Sequence, residues 1–277
     1  MVTALAVLFA GLLHAVWNAL AKAVPDRYAA FAVMGAASAL VSLPVAVAAG
    51  PPAGPAWPFL LTSVVLQVAY TALLIRSYDL GDFGQVYPLA RGSAPFLVAV
   101  AGAVLGERLS PLQSTGLVVV CGGLVALAVA RHRTTVTGPA VTAALLTGLS
   151  IAAYTVVDGL GVRRTSHPLP YIAWLFLLEG SVVALMALAV RGRALTPALR
   201  TGWQMPAAGG IVSLLAYAIV VWAQTRSPLA QVAALRETSV VWGAIIGAVF
   251  FSERFGWRRV AAAVTVTLGI ILLTAPT

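Results

Sequence analysis

The sequence predicts an all-α integral membrane protein with ten transmembrane helices, arranged as two inverted five-helix repeats. Of its 277 residues, 61% are hydrophobic and only 9% are charged, whereas a soluble domain carries about 25% charged residues. One membrane span needs about 20 mainly apolar residues, so ten spans use most of the chain and leave short loops. The working residues are therefore expected inside the bilayer.

A 25-residue stretch near the middle of the chain occurs again near its end. Residues 84–108, GQVYPLARGSAPFLVAVAGAVLGER, align without a gap with residues 230–254, AQVAALRETSVVWGAIIGAVFFSER, at an offset of 146 positions. A repeat period near half the chain length indicates internal duplication. The chain is therefore predicted to consist of two related halves, residues 1–133 and 134–277.

Ten apolar runs, separated by proline, glycine and charged residues, follow one another along the chain. Because lipid offers no hydrogen-bond partner to a bare backbone, runs of this length must be helices. Each half holds an odd number of runs, so the second half enters the membrane from the opposite side, as in many secondary transporters. The predicted spans are 2–23, 27–49, 57–78, 84–105, 111–130, 138–160, 169–190, 204–225, 228–251 and 257–275. The predicted interfacial anchors are Trp57, Tyr171, Trp203 and Trp257.

Polar side chains at helical spacing run along spans one, three, six and eight. On span one, His14, Asn18 and Lys22 are four residues apart, so they lie on one face of the helix. Ionisable residues inside a membrane are costly and usually face a cavity or a partner, so these faces are expected to look inward. Spans two, five and ten should face mainly lipid. The other polar positions are Ser150, Tyr154 and Asp158 on span six, Gln67, Tyr70 and Thr71 on span three, and Ser213, Tyr217 and Gln224 on span eight.

Three charged residues lie part-way along spans four and nine: Arg91, Arg236 and Glu237. Arg91 and Glu237 are separated by the repeat offset, so the duplication places opposite charges at equivalent sites. Two guanidinium groups near the middle of the membrane suit a carboxylate, phosphate or phosphonate group of a cargo. Glu237 is expected to act in coupling, with a charge that changes during transport. The predicted substrate-binding residues are His14, Trp17, Asn18, Tyr70, Tyr87, Arg91, Tyr154, Asp158, Tyr217 and Arg236.

Structural roles compete with cargo contact at several of these positions. Lys22 and Asp158 lie near span ends, where charged side chains can reach the membrane interface. His14 can equally be a hydrogen-bond partner between helices, and for Glu179 in span seven packing is favoured over cargo contact. The acidic and basic pairs that close spans four and nine are expected to set helix ends and topology: Glu107 with Arg108, and Glu253 with Arg254.

Motifs of soluble enzymes are absent from the sequence, which contains no HExxH, Walker A or CxxC pattern. No catalytic site, cofactor or metal is therefore expected, and active transport would have to use an ion or solute gradient, with a proton as the simplest candidate. The net charge of +9 does not indicate nucleic acid, because the basic residues fall mostly in predicted loops. The expected partners are the lipid bilayer and a small-molecule substrate, with the chain acting as a monomer or homodimer. The alternative is a membrane-embedded enzyme or a lipid-handling protein, for which only His14 with Asp158 qualifies as a catalytic pair.

Four short phrases, in their order and spacing, resemble the EamA-type transporters of the drug/metabolite transporter superfamily. They are HAVWNALAK (14–22), VYPLARG (86–92), YTVVDGLG (154–161) and ALRETS (234–239), and spans four and nine close in GER and SER. The resemblance covers the whole chain. It implies a ten-helix protein in the cell membrane that moves small metabolites, as an exporter or permease, by alternating access. It does not name the cargo.

The orientation in the membrane depends on two arguments that disagree. Lysine and arginine are enriched in cytoplasmic loops, and this rule favours termini outside the cytoplasm, whereas several relatives in the family place their termini inside it. With the termini inside, the inner loops hold Arg108, Arg163, Arg164 and Arg226. With the termini outside, they hold Lys22, Arg27, Arg76, Arg131, Arg133, Arg191, Arg193, Arg200, Arg254, Arg258 and Arg259.

Overall fold

The computed structural model describes residues 1–22, 24, 26–80, 83–129, 137–192, 202–251 and 257–275. Every regular element in these ranges is a helix, so the all-α part of the prediction is confirmed. The helices are α1 Val2–Lys22, α2 Arg27–Ala49, α3 Trp57–Leu80, α4 Phe83–Val104, α5 Pro111–Val129, α6 Gly138–Val162, α7 Pro168–Arg191, α8 Gln204–Gln224, α9 Leu229–Arg236, α10 Ser239–Phe251 and α11 Trp257–Thr274. A short 3₁₀ turn, Gly54–Ala56, precedes α3.

Six of the described helices, α1, α2, α3, α6, α7 and α8, are long and apolar enough to cross a membrane. Shorter apolar helical stretches lie at 89–104, 111–126 and 260–274. The protein is therefore a multi-pass membrane protein. Apart from the ninth span, the observed helices begin and end within two residues of the predicted spans, because apolar length and helix-breaking residues set both.

Local signals fix several of these helix ends. Asp26 caps the start of α2, since its Oδ1 accepts the N–H groups of Tyr28 at 3.0 Å and Ala29 at 3.2 Å. Gly50 follows the end of α2 with a φ of +73°, a conformation that glycine adopts at little cost. Both α6 and α7 carry a proline in their first turn, where the missing N–H is not needed for a helical bond.

The ninth predicted span consists of two helices. α9 ends at Arg236 and α10 begins at Ser239, so the prediction of one continuous helix over 228–251 is wrong. At the junction the N–H groups of Glu237 and Thr238 donate to carbonyl oxygens three residues back, at 3.1 and 3.2 Å. The hydroxyl of Thr238 also donates to the carbonyl three residues before it, at 2.9 Å. These tighter bonds replace the α-helical pattern and place the charged residues where two helix ends meet.

Helices from the two halves of the sequence pack against one another in pairs. α2 packs on α7, α5 on α11, α1 on α8 and α3 on α6, while α4 also packs on α6 and α1 on both α9 and α10. Glycines allow two of these close approaches: a Cβ on Gly35 would lie 2.6 Å from the Gly180 carbonyl oxygen, and one on Gly116 would lie 2.6 Å from that of Gly269. Spans two, five and ten therefore bury one face against a partner helix. The expectation that these spans contact mainly lipid is wrong for the surface that packs on the partner helix. Hydropathy does not distinguish contact with lipid from close contact with another helix.

Candidate substrate-binding site

The central ionic cluster consists of Arg91 on α4 together with Arg236, Glu237 and Ser239 at the junction of α9 and α10. Arg91 Nε donates to Glu237 Oε2 at 2.9 Å, and Arg91 Nη2 donates to Ser239 Oγ at 3.2 Å. Arg236 Nε lies 3.8 Å from Glu237 Oε1. All four residues are at most 2% exposed. The two residues that the repeat makes equivalent, Arg91 and Glu237, therefore form a buried ion pair between the halves.

Arg236 and His14 carry buried nitrogen atoms that lack hydrogen-bond partners among the described residues. Within the part of the chain that the structure describes, Arg236 Nε, Nη1 and Nη2 and His14 Nε2 have no hydrogen-bond partner. Most buried polar groups in proteins are hydrogen-bonded, so each exception needs an explanation. His14 lies within electrostatic range of both Arg91 and Arg236. The unsatisfied atoms therefore belong to one region of the protein.

A second buried group, the Asp158 cluster, is built around a carboxylate on α6 that is fully buried. Tyr171 donates its hydroxyl to Asp158 Oδ1 at 3.0 Å, and Tyr217 donates to Oδ2 at 2.6 Å. Gln67 Nε2 lies 3.4 Å from Oδ2 and 3.1 Å from Ser63 Oγ. Asp158 is thus held by hydroxyl and amide donors deep in the bundle, which argues against the alternative that it reaches the membrane interface.

Aromatic rings connect the central ionic cluster with the Asp158 cluster. The Tyr154 ring contacts the rings of Tyr70 and Tyr217 edge to face, with centroids 5.6 and 5.7 Å apart, and Phe176 contacts Tyr217 at 6.1 Å. Tyr154 is within electrostatic range of both Arg236 and Asp158. The buried polar groups therefore lie around an aromatic wall contributed by α3, α6, α7 and α8.

At one end of the bundle, Glu107 joins the two halves through what we call the Glu107 network. Glu107 Oε1 binds Arg163 Nη1 at 2.7 Å, and Oε2 accepts the N–H of Leu229, the first residue of α9, at 2.8 Å. Arg163 Nε and Nη2 also donate to the carbonyl oxygens of Gln224 and Ser227, at 2.8 and 3.0 Å. Glu107 was expected to set a helix end, and it does so for a helix of the other half.

The remaining predicted site residues have mixed placements. Trp17 is buried and donates from Nε1 to His14 Nδ1 at 3.0 Å, and Asn18 Nδ2 donates to the His14 carbonyl at 2.7 Å. Tyr70 is half-buried. Glu179 is half-buried within electrostatic range of Asp158. Four predictions lie outside the described residues or side chains: those on Lys22, Tyr87, Glu253 and Arg254.

Several residues of the site were not among the predicted binding residues, and Tyr171 and Ser239 are the most informative of them. Tyr171 was predicted to be an interfacial anchor, but it is fully buried and bonds Asp158. A tyrosine near the start of a span looks the same in sequence whether it is an interfacial anchor or a buried hydrogen-bond donor. Ser239, which binds Arg91, could have been found, because the repeat aligns it with Ser93 and places it two residues after Glu237.

Comparison with known proteins agrees with this architecture. Residues 138–275 match the EamA-like transporter family. The protein belongs to this family. An uncharacterized protein of Pseudomonas aeruginosa is 28% identical over 207 residues, which cover 75% of this chain and 70% of the relative. The EamA-type chain is also similar to a solved protein crystal structure, with a TM-score of 0.78 and 19% identity over 98% of this chain and 96% of the other. At that identity the likeness shows a shared fold, and the EamA match makes this a membrane transporter of the drug/metabolite type.

Proposed function

We propose that this EamA-type protein is a secondary transporter that moves a small polar or amphipathic metabolite across the plasma membrane, as an exporter or permease. The observation that carries the proposal is the central ionic cluster, in which Arg91 comes from the first half and Arg236 and Glu237 from the second. Buried charges inside a membrane mark substrate and ion pathways. A cluster shared by two halves is suited to alternating access, because its partners separate or rejoin when the halves move.

The packing of the helices supports an inverted repeat. Exchanging each helix of the first half with its equivalent in the second turns the α1–α8 pair into the α6–α3 pair, and the α4–α6 pair into the contacts of α9 and α10 with α1. The α2–α7 and α5–α11 pairs map onto themselves. A pseudo-twofold axis of this kind runs between the halves of many transporters, with the substrate site near the midplane.

In an alternating-access cycle, the Glu107 network would close one end of the protein. It ties the ends of α4, α6 and α8 to the start of α9, so the halves are bound to each other on that side of the membrane. In the repeat, Glu107 is equivalent to Glu253, at the same offset of 146.

Breaking the Glu107 network is expected to open that side of the protein. We expect Arg163→Gln to speed labelling of a Tyr154→Cys probe by membrane-impermeant maleimide about tenfold from the network side, since two or more charged hydrogen bonds are lost. Tyr154 is only 5% exposed, so labelling is slow while the network holds. The measurement uses proteoliposomes of known orientation in a Cys121→Ser background.

Arg226→Gln is the matched control for this variant. Arg226 is exposed and its guanidinium lies 4.8 Å from the ring centroid of Trp222 in its own half. Equal labelling rates in Arg163→Gln and Arg226→Gln would contradict a gating role for the network.

The rival reading, an enzyme that uses His14 with Asp158, receives little support from the site. His14 Nδ1 accepts from Trp17, whereas both Asp158 oxygens accept from tyrosines of α7 and α8. The two side chains thus belong to different hydrogen-bond groups, and neither orients the other as a catalytic pair requires.

A further inference from the structure

The two arginines of the central ionic cluster differ in what they already bind. Arg91 is held by Glu237 and Ser239, at 2.9 and 3.2 Å. Arg236 is 1% exposed, and its Nε lies 3.8 Å from Glu237 Oε1. None of its three guanidinium nitrogens meets the geometry of a hydrogen bond to a described residue, although the Tyr154 side chain lies close enough to interact with this guanidinium. Arg236 is therefore the arginine with donors to offer.

His14 adds a further donor, and its tautomer follows from its neighbour. Trp17 Nε1 is only a donor and bonds His14 Nδ1 at 3.0 Å, so Nδ1 is unprotonated. The proton of the imidazole is then on Nε2. This N–H is buried and has no partner in the described part of the chain.

Helix packing brings His14 to the junction of α9 and α10. α1 packs on both helices, and a Cβ on Gly11 would lie 3.3 Å from the Ser239 backbone nitrogen. His14 is three residues after Gly11 and so lies on the same helix face, one turn further along. The Nε2–H and the Arg236 guanidinium thus belong to one group of buried donors.

Donors outnumber acceptors in this group, in which Glu237 Oε1 is an acceptor without a hydrogen bond to a described residue, 3.8 Å from Arg236 Nε. Such a group is complementary to a ligand acceptor that carries negative charge. Two guanidiniums and one carboxylate leave the central ionic cluster with one net positive charge. A ligand group with one negative charge brings the total to zero and supplies oxygens to the donors. Glu237 Oε1, which points toward Arg236, opposes a second negative charge on the ligand.

We propose that Arg236 and His14 hold the anionic group of the cargo, a carboxylate or a singly charged phosphate-type group. This inference rests on the proposed transport function, and it assigns anion binding to Arg236 rather than to both arginines. Arg91 instead positions Glu237. The rings of Tyr70 and Tyr217 contact that of Tyr154 edge to face, and Tyr154 also lies close to Arg236. These rings suit an apolar or aromatic body on the same molecule. The cargo class is therefore an amphipathic organic acid.

Binding to purified protein tests this assignment without requiring transport. The protein is placed in nanodiscs of phosphatidylcholine, and melting is followed with benzoate, with benzamide and with inorganic phosphate. Benzamide has the same ring as benzoate and no charge. We expect benzoate to raise the melting temperature and benzamide to leave it unchanged, since specific binding stabilises the folded state.

Variants then locate the site. Arg236→Gln is expected to weaken benzoate binding by about tenfold or more, because it removes charged hydrogen bonds, whereas Arg226→Gln should bind as the wild type does. His14→Phe should weaken binding less, because it removes one neutral donor. Equal effects of benzoate and benzamide on the wild type would overturn the proposal, whether or not Arg236→Gln folds. Unchanged benzoate binding by a folded Arg236→Gln would also overturn it.

The source of the anion is resolved by repeating the melts in nanodiscs that contain phosphatidylglycerol. This lipid could stabilise the wild type but not Arg236→Gln, while benzoate has no effect. That result would support the donor site, but it would identify a lipid headgroup as the ligand and contradict the proposed soluble cargo. If benzoate binds but no solute is exchanged in proteoliposomes, the anion site is supported and the transport proposal is contradicted. No response to benzoate, phosphate or anionic lipid overturns the site.

Discussion

Glu237→Gln is expected to abolish accumulation driven by a pH gradient while leaving exchange of cargo near the wild-type rate. Glutamine has the shape of a protonated glutamate and still offers Arg91 a carbonyl oxygen, but it cannot release or take up a proton. The groups near Glu237 are Arg91 from α4, Arg236 from α9 and Cys121 from α5, and His14 from α1 lies near both arginines. Proton uptake at this position would weaken the Arg91 ion pair between the halves and so favour their separation.

Uptake and exchange in the same proteoliposomes, with and without a pH gradient, provide the measurement. Glu179→Gln is the control, because it neutralises a half-buried carboxyl outside the central ionic cluster. Wild-type accumulation by Glu237→Gln would end the coupling proposal. A loss of folding stability of about 3–5 kcal/mol, the typical cost of removing one partner of a fixed buried pair, would instead show that the ion pair stays closed throughout the cycle.

Asp158→Ala is expected to lower the free energy of unfolding by about 3 kcal/mol or more. The substitution leaves the hydroxyls of Tyr171 and Tyr217 without an acceptor, and each buried group left unsatisfied costs about 1–3 kcal/mol. Gln67 Nε2 also loses a bond but keeps the one to Ser63 Oγ. Asp158→Asn keeps one acceptor oxygen and should cost less. The measurement is denaturant unfolding in detergent micelles.

Tyr171→Phe is the matched control for this prediction, since it removes one donor and leaves the carboxylate with two. Its expected cost is about 1 kcal/mol. If Asp158→Ala were as stable as the wild type, the carboxylate would be dispensable to the fold, and the predicted role of Asp158 in cargo contact would regain priority.

Helix positions were predictable because apolar length and breaker residues control them locally. The break in the ninth span was not predicted, since Arg236, Glu237, Thr238 and Ser239 interrupt an apolar run that is otherwise long enough to span. Hydropathy averages over such a short polar segment. The sequence of the first copy, around Arg91, gives no guide either, because α4 continues through this position as one helix.

The ion pair between Arg91 and Glu237 was within reach of the sequence, because the repeat offset relates the two positions. The difference between Arg91 and Arg236 was not. It depends on which guanidinium the Glu237 carboxylate faces, and on a histidine tautomer fixed by Trp17. Tyr171 was misassigned for a similar reason, since its partner Asp158 is on the preceding helix and the pairing exists only after α6 and α7 pack.

Counterflow in proteoliposomes tests the central claim most directly. Liposomes loaded with a mixture of unlabelled organic acids, amino acids and sugars are diluted into trace amounts of isotope-labelled forms, and the solutes on both sides are identified by mass spectrometry. The transport account predicts that an amphipathic organic acid enters with its label and its structure unchanged, and that Arg236→Gln reduces this entry. Chemical conversion of the solute, or the same entry in liposomes without protein, would contradict it.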